Sequence, residues 1–228
     1  MPGGNPDPPE EHLVGAVWSV MPPTAKTKFD KEQLLRDLSR AQELLEHDQV
    51  QEAHDLFARV KSSAAKAGVV SGHVLWGLAI TSDLLGRFEE SMNFINEALA
   101  LDPLPGPFNR SFMIITGHIR AALLHADRKA DDAGTPGLYR LLVQAGAADA
   151  DTHLVQARHL LVTGNKEAAL KLVQAIITLY PCSPEAWALR ASIAVAMGAH
   201  QAAATSTAKA AALGHEPVPF AIPGQAEA

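Results

Sequence analysis

The 228-residue chain has little of several features that specialised proteins need. Its single cysteine, Cys182, excludes an internal disulfide framework and a multi-cysteine zinc site. Lysine and arginine together number 19 against 25 aspartates and glutamates, so there is no basic field to hold nucleic acid or an anionic membrane. No uninterrupted apolar stretch has the length of a membrane-spanning helix. We therefore expect neither a nucleic-acid partner nor membrane insertion.

Aromatic residues make up only 5% of the chain, although hydrophobic residues make up 47%. The core must then be built from alanine, leucine, valine and isoleucine, which suits closely packed helices better than sheets. This composition predicts an all-α fold. The opening residues 1–11 are acidic and proline-rich where a secretory signal would be basic, so we expect a cytoplasmic location.

A repeat is visible in the second half of the chain, where Gly164 and Gly198 are 34 residues apart. That spacing is typical of a repeated helix-turn-helix unit. The register recurs, because 17 residues separate Gly86 from Pro103 and the same number separate Gly164 from Pro181. Such a unit cannot bury its apolar face alone and must stack on its neighbours. The repeat therefore predicts an architecture that provides binding surface rather than a catalytic pocket.

Small and large residues recur at fixed places in the predicted helices. A first helix is predicted to begin near Asp30 and a second near Val50, and in the second helix Ala53 lies four residues before Phe57. A small residue lets the two helices of one hairpin approach closely, while a bulky residue fills the space toward the next hairpin.

On these residues the chain resembles the tetratricopeptide repeat family over residues 30–216, most firmly at 72–103 and 164–213. Ala79 stands where the family has glycine, and Ser91 replaces its usual alanine. The resemblance implies a right-handed solenoid of about five stacked antiparallel helix hairpins, in which the middle hairpin is degenerate.

The predicted organisation has three zones. Residues 1–25 form a proline-rich segment that is either flexible or a docking element, 26–216 form the repeat domain, and 217–228 form a flexible tail. Within the first zone, the apolar run around Trp18 could be a strand, a short helix or a docking segment. It is also a candidate occupant of the binding groove.

Residues 104–150 depart from the repeat. Apolar spacing predicts a helix from Phe108 to about Ala126, an interruption at 131–137, and a short helix at 138–143. The region is either a degenerate repeat or an insertion.

The resemblance implies that the first helix of each hairpin lines a concave partner-binding groove. The matching positions are Leu35, Leu38, Gln42, Leu45, His73, Trp76, Ile80, Leu84, Arg110, Ile114, His118, Leu154, Val155, Arg158, Leu161 and Leu189. Each leucine could instead pack in the core. The indole of Trp76 is expected to face outward, although a register shift of one residue would bury it.

Residues for chemistry are sparse. Two pairs of the ten histidines lie seven residues apart, whereas metal sites use spacings of three or four with a third ligand. Cys182 lies in a predicted turn without a basic neighbour that would activate a thiol. We therefore expect no catalytic residues, no cofactor, no bound metal and no enzymatic activity.

The expected function is that of a scaffold or adaptor that binds an apolar extended or helical segment of another protein. The Lys and Asn clamp that chaperone-tail binders of the family use for a terminal carboxylate has no counterpart here. Two alternatives stay open: a chaperone-like holder of a secreted or assembly-pathway client, and an inert accessory subunit of an enzyme complex. Pairing of exposed terminal helices in a homodimer is also open.

Overall fold

A computed structural model describes residues 18–20, 31–102, 106–129 and 133–216, without side-chain detail for residues 18–20 and Lys31. Ten α-helices and two short strands lie in this part of the chain. They are β1 (Trp18–Val20), α1 (Lys31–Glu46), α2 (Val50–Lys66), β2 (Val69–Ser71), α3 (Gly72–Leu84), α4 (Phe88–Leu101), α5 (Pro107–Arg128), α6 (Thr135–Gln144), α7 (Ala150–Val162), α8 (Lys166–Leu179), α9 (Pro184–Ala196) and α10 (His200–Ala212).

The predicted all-α class of paired helices is confirmed, with a small β-ribbon added. The helix predicted to start near Val50 starts there, and the helix predicted from Phe108 is α5. In contrast to the predicted short helix at 138–143, α6 begins at Thr135, because Pro136 is compatible with the first turn of a helix. The expected flexible tail at 217–228 and most of the segment 1–25 lie outside the described residues, as do Asp30 and Pro103.

The same turn joins the two helices of four hairpins. Gly164 and Gly198 both have positive φ, 85° and 75°, directly after a first helix. In each turn the next backbone N–H donates to a carbonyl five residues back, from Asn165 to Leu160 and from Ala199 to Ala194, both at 2.8 Å. This bond satisfies a carbonyl that the helix end leaves unpaired. Gly164 and Gly198 are therefore 34 residues apart because the same turn occurs at the same place in two successive hairpins.

Paired small residues bring the two helices of each hairpin together. Ala41 on α1 and Ala53 on α2 are both fully buried, and they lie twelve residues apart. Ser91 on α4 occupies the corresponding place opposite Ala79 on α3 and donates from Oγ to the Ala79 carbonyl at 2.8 Å. Serine is thus small enough for the two helices to approach closely, and its hydroxyl has a hydrogen-bond acceptor.

The described residues divide into two compact units, residues 1–115 and 116–228. In the first unit, Phe57 on α2 is fully buried in a core shared by α1, α2 and α3. Its ring lies against Gly77 of α3 so closely that a Cβ at that glycine would come within 2.5 Å of ring atoms. The expected filling of the gap toward the next hairpin by a bulky residue is therefore confirmed at Phe57.

The second unit has its own core on α7, α8 and α9. Its fully buried members include Ala157, Val173 and Ile193. Helix α7 begins with a capping box, since Asp149 accepts from the Thr152 N–H at 3.0 Å and the Thr152 hydroxyl accepts from the Asp149 N–H at 2.8 Å.

The two strands form an antiparallel ribbon in which Trp18 is opposite Ser71, Ser19 is opposite Val70, and Val20 is opposite Val69. Of the alternatives for the apolar run around Trp18, the structure contains a strand over its last residues. None of the described helices combines the length and apolar character that crossing a membrane requires.

Candidate partner-binding surface

The structure distributes the predicted groove residues between core and surface. Five of them are buried and cannot offer a binding surface, which corrects the prediction at these positions. They are Leu38, Leu154, Val155, Leu161 and Leu189.

Four of the five belong to the second unit, where the prediction fails for a physical reason. Leu154 and Leu161 of α7 and Leu189 of α9 pack in the core of that unit. Apolar residues occupy several sides of α7, so apolar spacing alone does not show which side meets a neighbouring helix. The sequence prediction therefore assigned to the groove side chains that pack in the core.

Arg158, a further predicted groove residue, is engaged within the protein. Its Nε and Nη2 donate to the two carboxylate oxygens of Asp127 on α5, at 3.1 and 2.7 Å. Both side chains are partly buried, and the bidentate geometry orients the guanidinium. Arg158 thus joins α7 to α5 instead of presenting a charge to a partner.

In the first unit the predicted positions are more accessible. Leu35 is 41% exposed, Leu84 is 55% exposed and Ile114 is 47% exposed, on α1, α3 and α5 respectively. Arg110 of α5 is also exposed, whereas His118 is exposed on the part of α5 that belongs to the second unit. The remaining predicted positions are partly buried. They are Gln42, Leu45, His73, Trp76 and Ile80.

The three helices that carry these residues contact one another in the first unit. Contacts join α1 to α3 directly. On the other side, the Trp76 indole N–H donates to Ser111 Oγ of α5 at 2.8 Å, and the His73 ring meets Phe108 edge-on at 5.8 Å. We use the name A-face for the predicted groove residues of the first unit that are apolar and exposed or partly buried, which are Leu35, Leu45, Trp76, Ile80, Leu84 and Ile114.

Trp76 lies at the middle of the A-face in an intermediate position. The sequence allowed either an outward-facing or a buried indole. The ring is half-buried, so each alternative is correct in part. The hydrogen bond to the buried Ser111 fixes the polar edge of the ring. An aromatic side chain held in this way presents apolar area with little rotamer freedom left to lose on binding.

Sequence reasoning missed two residues beside the A-face. Ser111 was not selected, because a serine has no apolar signal and its role depends on Trp76, 35 residues earlier. Met113 is 73% exposed on α5, next to Ile114. Its position three residues after Arg110 places both on one side of the helix, which was a usable signal.

The described residues show little that resembles a reaction centre. Within them, no group of three or more histidine, cysteine, aspartate or glutamate side chains could hold a metal ion. Cys182 is exposed in the turn before α9. The buried polar pair His54 and Thr81 lies in the first unit, where the hydroxyl of Thr81 also donates to a helix carbonyl.

No family model and no curated protein matches the chain. Among solved structures, MamA AMB-1 is 15% identical with a TM-score of 0.43, and the match covers 82% of this chain and 96% of that one. YrrB, described as a TPR protein with an unusual peptide-binding site, is 13% identical with a TM-score of 0.40, over 81% and 88% of the two chains.

A tetratricopeptide repeat protein from Parabacteroides merdae is 14% identical with a TM-score of 0.39, covering 82% of this chain and 80% of that chain. The chain's own turns and its paired small residues agree with the repeat unit predicted from the sequence. In its repeat unit the chain is TPR-like.

Proposed function

We propose that the chain is a non-catalytic protein-interaction module whose A-face binds an apolar extended or helical segment of a partner protein. The observations that carry the proposal are the exposure of Leu35, Leu84 and Ile114 and the hydrogen bond that holds the partly buried ring of Trp76. Neighbouring apolar residues of the same helices, such as Leu34 and Leu75, are buried in the ordinary way.

The A-face has the composition of a binding site with a central anchor. Grouped apolar side chains left in water on a folded protein are typical of interaction sites. Binding energy at such sites is concentrated in a few aromatic and aliphatic residues that become fully desolvated. Trp76 is suited to this role because its ring is positioned before a partner arrives.

The spacing on α3 indicates the kind of segment that fits. Trp76, Ile80 and Leu84 are four residues apart along one helix, so they form a continuous apolar line on one side of α3. An amphipathic helix or an extended segment can place its own apolar residues along such a line. Since the face supplies no Lys and Asn clamp, we expect an internal segment rather than a free carboxyl terminus.

A peptide-display selection against the full-length chain tests this proposal. Selected peptides are expected to be apolar and to bind with micromolar dissociation constants by calorimetry, a typical strength for short segments in a preformed groove. Leu84→Glu and Ile114→Glu should each weaken binding at least tenfold, because a carboxylate would be desolvated in the complex.

The matched control is Leu179→Glu, which introduces the same charge at an exposed leucine of α8 in the second unit. It should leave peptide binding unchanged. Circular dichroism and thermal melting should be similar for all three variants, since each replaced side chain is largely in solvent. Equal loss of binding in the control, or no loss in the A-face variants, would contradict the assignment.

A further inference from the structure

The two strands of the β-ribbon differ in how closely they are connected to helices. Strand β2 is fixed at both ends, because α2 ends at Lys66 and α3 begins at Gly72. Strand β1 is followed by ten residues before α1 begins at Lys31, so it is attached less directly. Of the two strands, β2 is the one that the helices position.

The local sequence explains why β2 is extended. Gly68, two residues after the end of α2, has a positive φ of 70°, and two β-branched residues, Val69 and Val70, follow. Branched side chains favour the extended backbone. Val69 and Ser71 are buried on one side of the strand, whereas Val70 is partly exposed on the other.

The pairing between β1 and β2 is too short to be permanent by itself. It consists of three residue pairs, whereas an isolated two-stranded ribbon is at best marginally stable. Its backbone hydrogen bonds do not depend on side-chain identity, so another extended segment can make the same bonds.

We propose that Val69–Ser71 is a strand-addition site for an extended apolar segment of a partner protein, and that Trp18–Val20 occupies this site in cis as an internal competitor. The site is separate from the A-face and does not depend on the function proposed for it. The apparent affinity for a partner would then equal the intrinsic affinity multiplied by the fraction of molecules in which β1 has left β2.

The full-length chain can be locked to test this. In a Cys182→Ser background, Ser19→Cys and Val70→Cys place two thiols at directly opposite positions of the ribbon. Opposite residues of antiparallel strands have Cα separations of about 4.5–5.5 Å, which a disulfide spans. Non-reducing electrophoresis should show an intramolecular bond in a monomer. A covalent dimer would mean that strands exchange between copies, and would overturn the proposal.

The probe is a fluorescein-labelled synthetic peptide with the sequence of residues 13–21 and a lysine tail for solubility. It should bind the reduced protein at least tenfold more tightly than the oxidised protein, because only the reduced form can release β1. A full-length Ser19→Pro chain, in which cis pairing is weakened, should bind the peptide more tightly than the unchanged chain.

Two controls define the site. The same peptide with proline in place of its serine should not bind, because it cannot continue the strand pairing. Leu84→Glu, which alters the A-face, should not change binding of the unmodified peptide. Equal binding by oxidised and reduced protein, absence of binding to every form, or loss of binding in Leu84→Glu would each overturn the strand-addition site.

Discussion

The turn of the first hairpin differs from the corresponding turns in one residue, Asp48. It has a φ of 57°, and among the described residues it is the only non-glycine in this left-handed region. In the other three hairpins that share this turn, glycines occupy the position, with Gly86 at 71°. The following N–H, from Gln49, still donates to the Leu44 carbonyl at 2.9 Å, so the turn is the same. The aspartate is therefore strained where a glycine would not be.

Asp48→Gly should raise the free energy of unfolding by about 1 kcal/mol, because it removes the Cβ clash of the left-handed backbone. Urea denaturation monitored by circular dichroism measures the change. As a matched control, Ser39→Gly in the exposed middle of α1 should lower stability by about 0.5 kcal/mol, since glycine is a poor helix former there. A destabilised Asp48→Gly chain would contradict this account of the turn.

His54 is buried beside Thr81, with Nδ1 and Oγ1 3.0 Å apart. The Thr81 hydroxyl donates to the Gly77 carbonyl at 2.8 Å, so its oxygen accepts from the histidine. This arrangement places the proton of the neutral ring on Nδ1. Burial lowers the pKa of His54 below 6.5, and the positive charge of Arg87 lowers it further.

The lowered pKa of His54 predicts a pH dependence of stability. Above about pH 6.5 the ring is neutral in both states, but below that value the unfolded chain binds a proton that the folded chain resists. The free energy of unfolding should therefore fall as pH decreases from 6.5 toward the pKa of the folded protein. Urea titrations at several pH values should show a smaller slope for His54→Gln than for His200→Gln, a control at an exposed histidine.

At the scale of elements, the packing of α2 against α3 requires a residue without a side chain at Gly77. Phe57 reaches into the space that Gly77 leaves open, whereas Gly117 of α5 has nothing within 4 Å of where a Cβ would be. Both glycines lie inside helices, so the cost of glycine in a helix is common to both. The difference between them is the neighbouring ring.

Gly77→Ala should destabilise the protein by about 1–3 kcal/mol, since the aromatic ring of Phe57 has to move out of a packed core. Gly117→Ala should stabilise it by about 0.5–1 kcal/mol through helix propensity alone. Chemical denaturation of both variants provides the comparison. Changes of the same sign would show that the ring of Phe57 does not decide the packing of α2 on α3.

Helix spacing also explains which sequence predictions succeeded at this scale. A helix start such as Val50 depends on residues within a few positions, so local patterns were sufficient to predict it. The assignment of faces was less successful. Leu154 and Val155 are adjacent in the chain and both are buried, which no single apolar stripe describes.

At the scale of the whole molecule, one buried apolar cluster lies around Phe57 in the first unit and another around Val173 in the second unit. In repeat proteins, stability is approximately the sum of terms within each repeat and between neighbours. A change in one core is then felt mainly by amides close to it. A substitution in one unit should consequently lower the local stability of that unit and leave the other unit unchanged.

Native-state hydrogen exchange tests this local response. In Gly77→Ala, the free energy of opening should fall for amides of α3, while amides of α8 should keep theirs within about 0.5 kcal/mol. The reverse pattern is expected for Val173→Ala, which removes a fully buried side chain of the second core. An equal decrease on both helices in either variant would show a single cooperative unit.

The sequence by itself determined the helical class, the turn positions and the small residues that let paired helices approach. These features follow from local periodicity, from glycines that adopt positive φ, and from side-chain volume, all of which are encoded within about one hairpin. Ala53 and Phe57 could be assigned correctly because the packing rule needs only their spacing.

Only the tertiary structure decided which apolar residues remain at the surface and which polar groups are already engaged. Trp76 meets Ser111, and Arg158 meets Asp127 more than thirty residues away. The pairing of Trp18–Val20 with Val69–Ser71 spans a still longer separation. Such contacts depend on the side chains that folding brings together, and a periodic pattern along one helix does not contain that information.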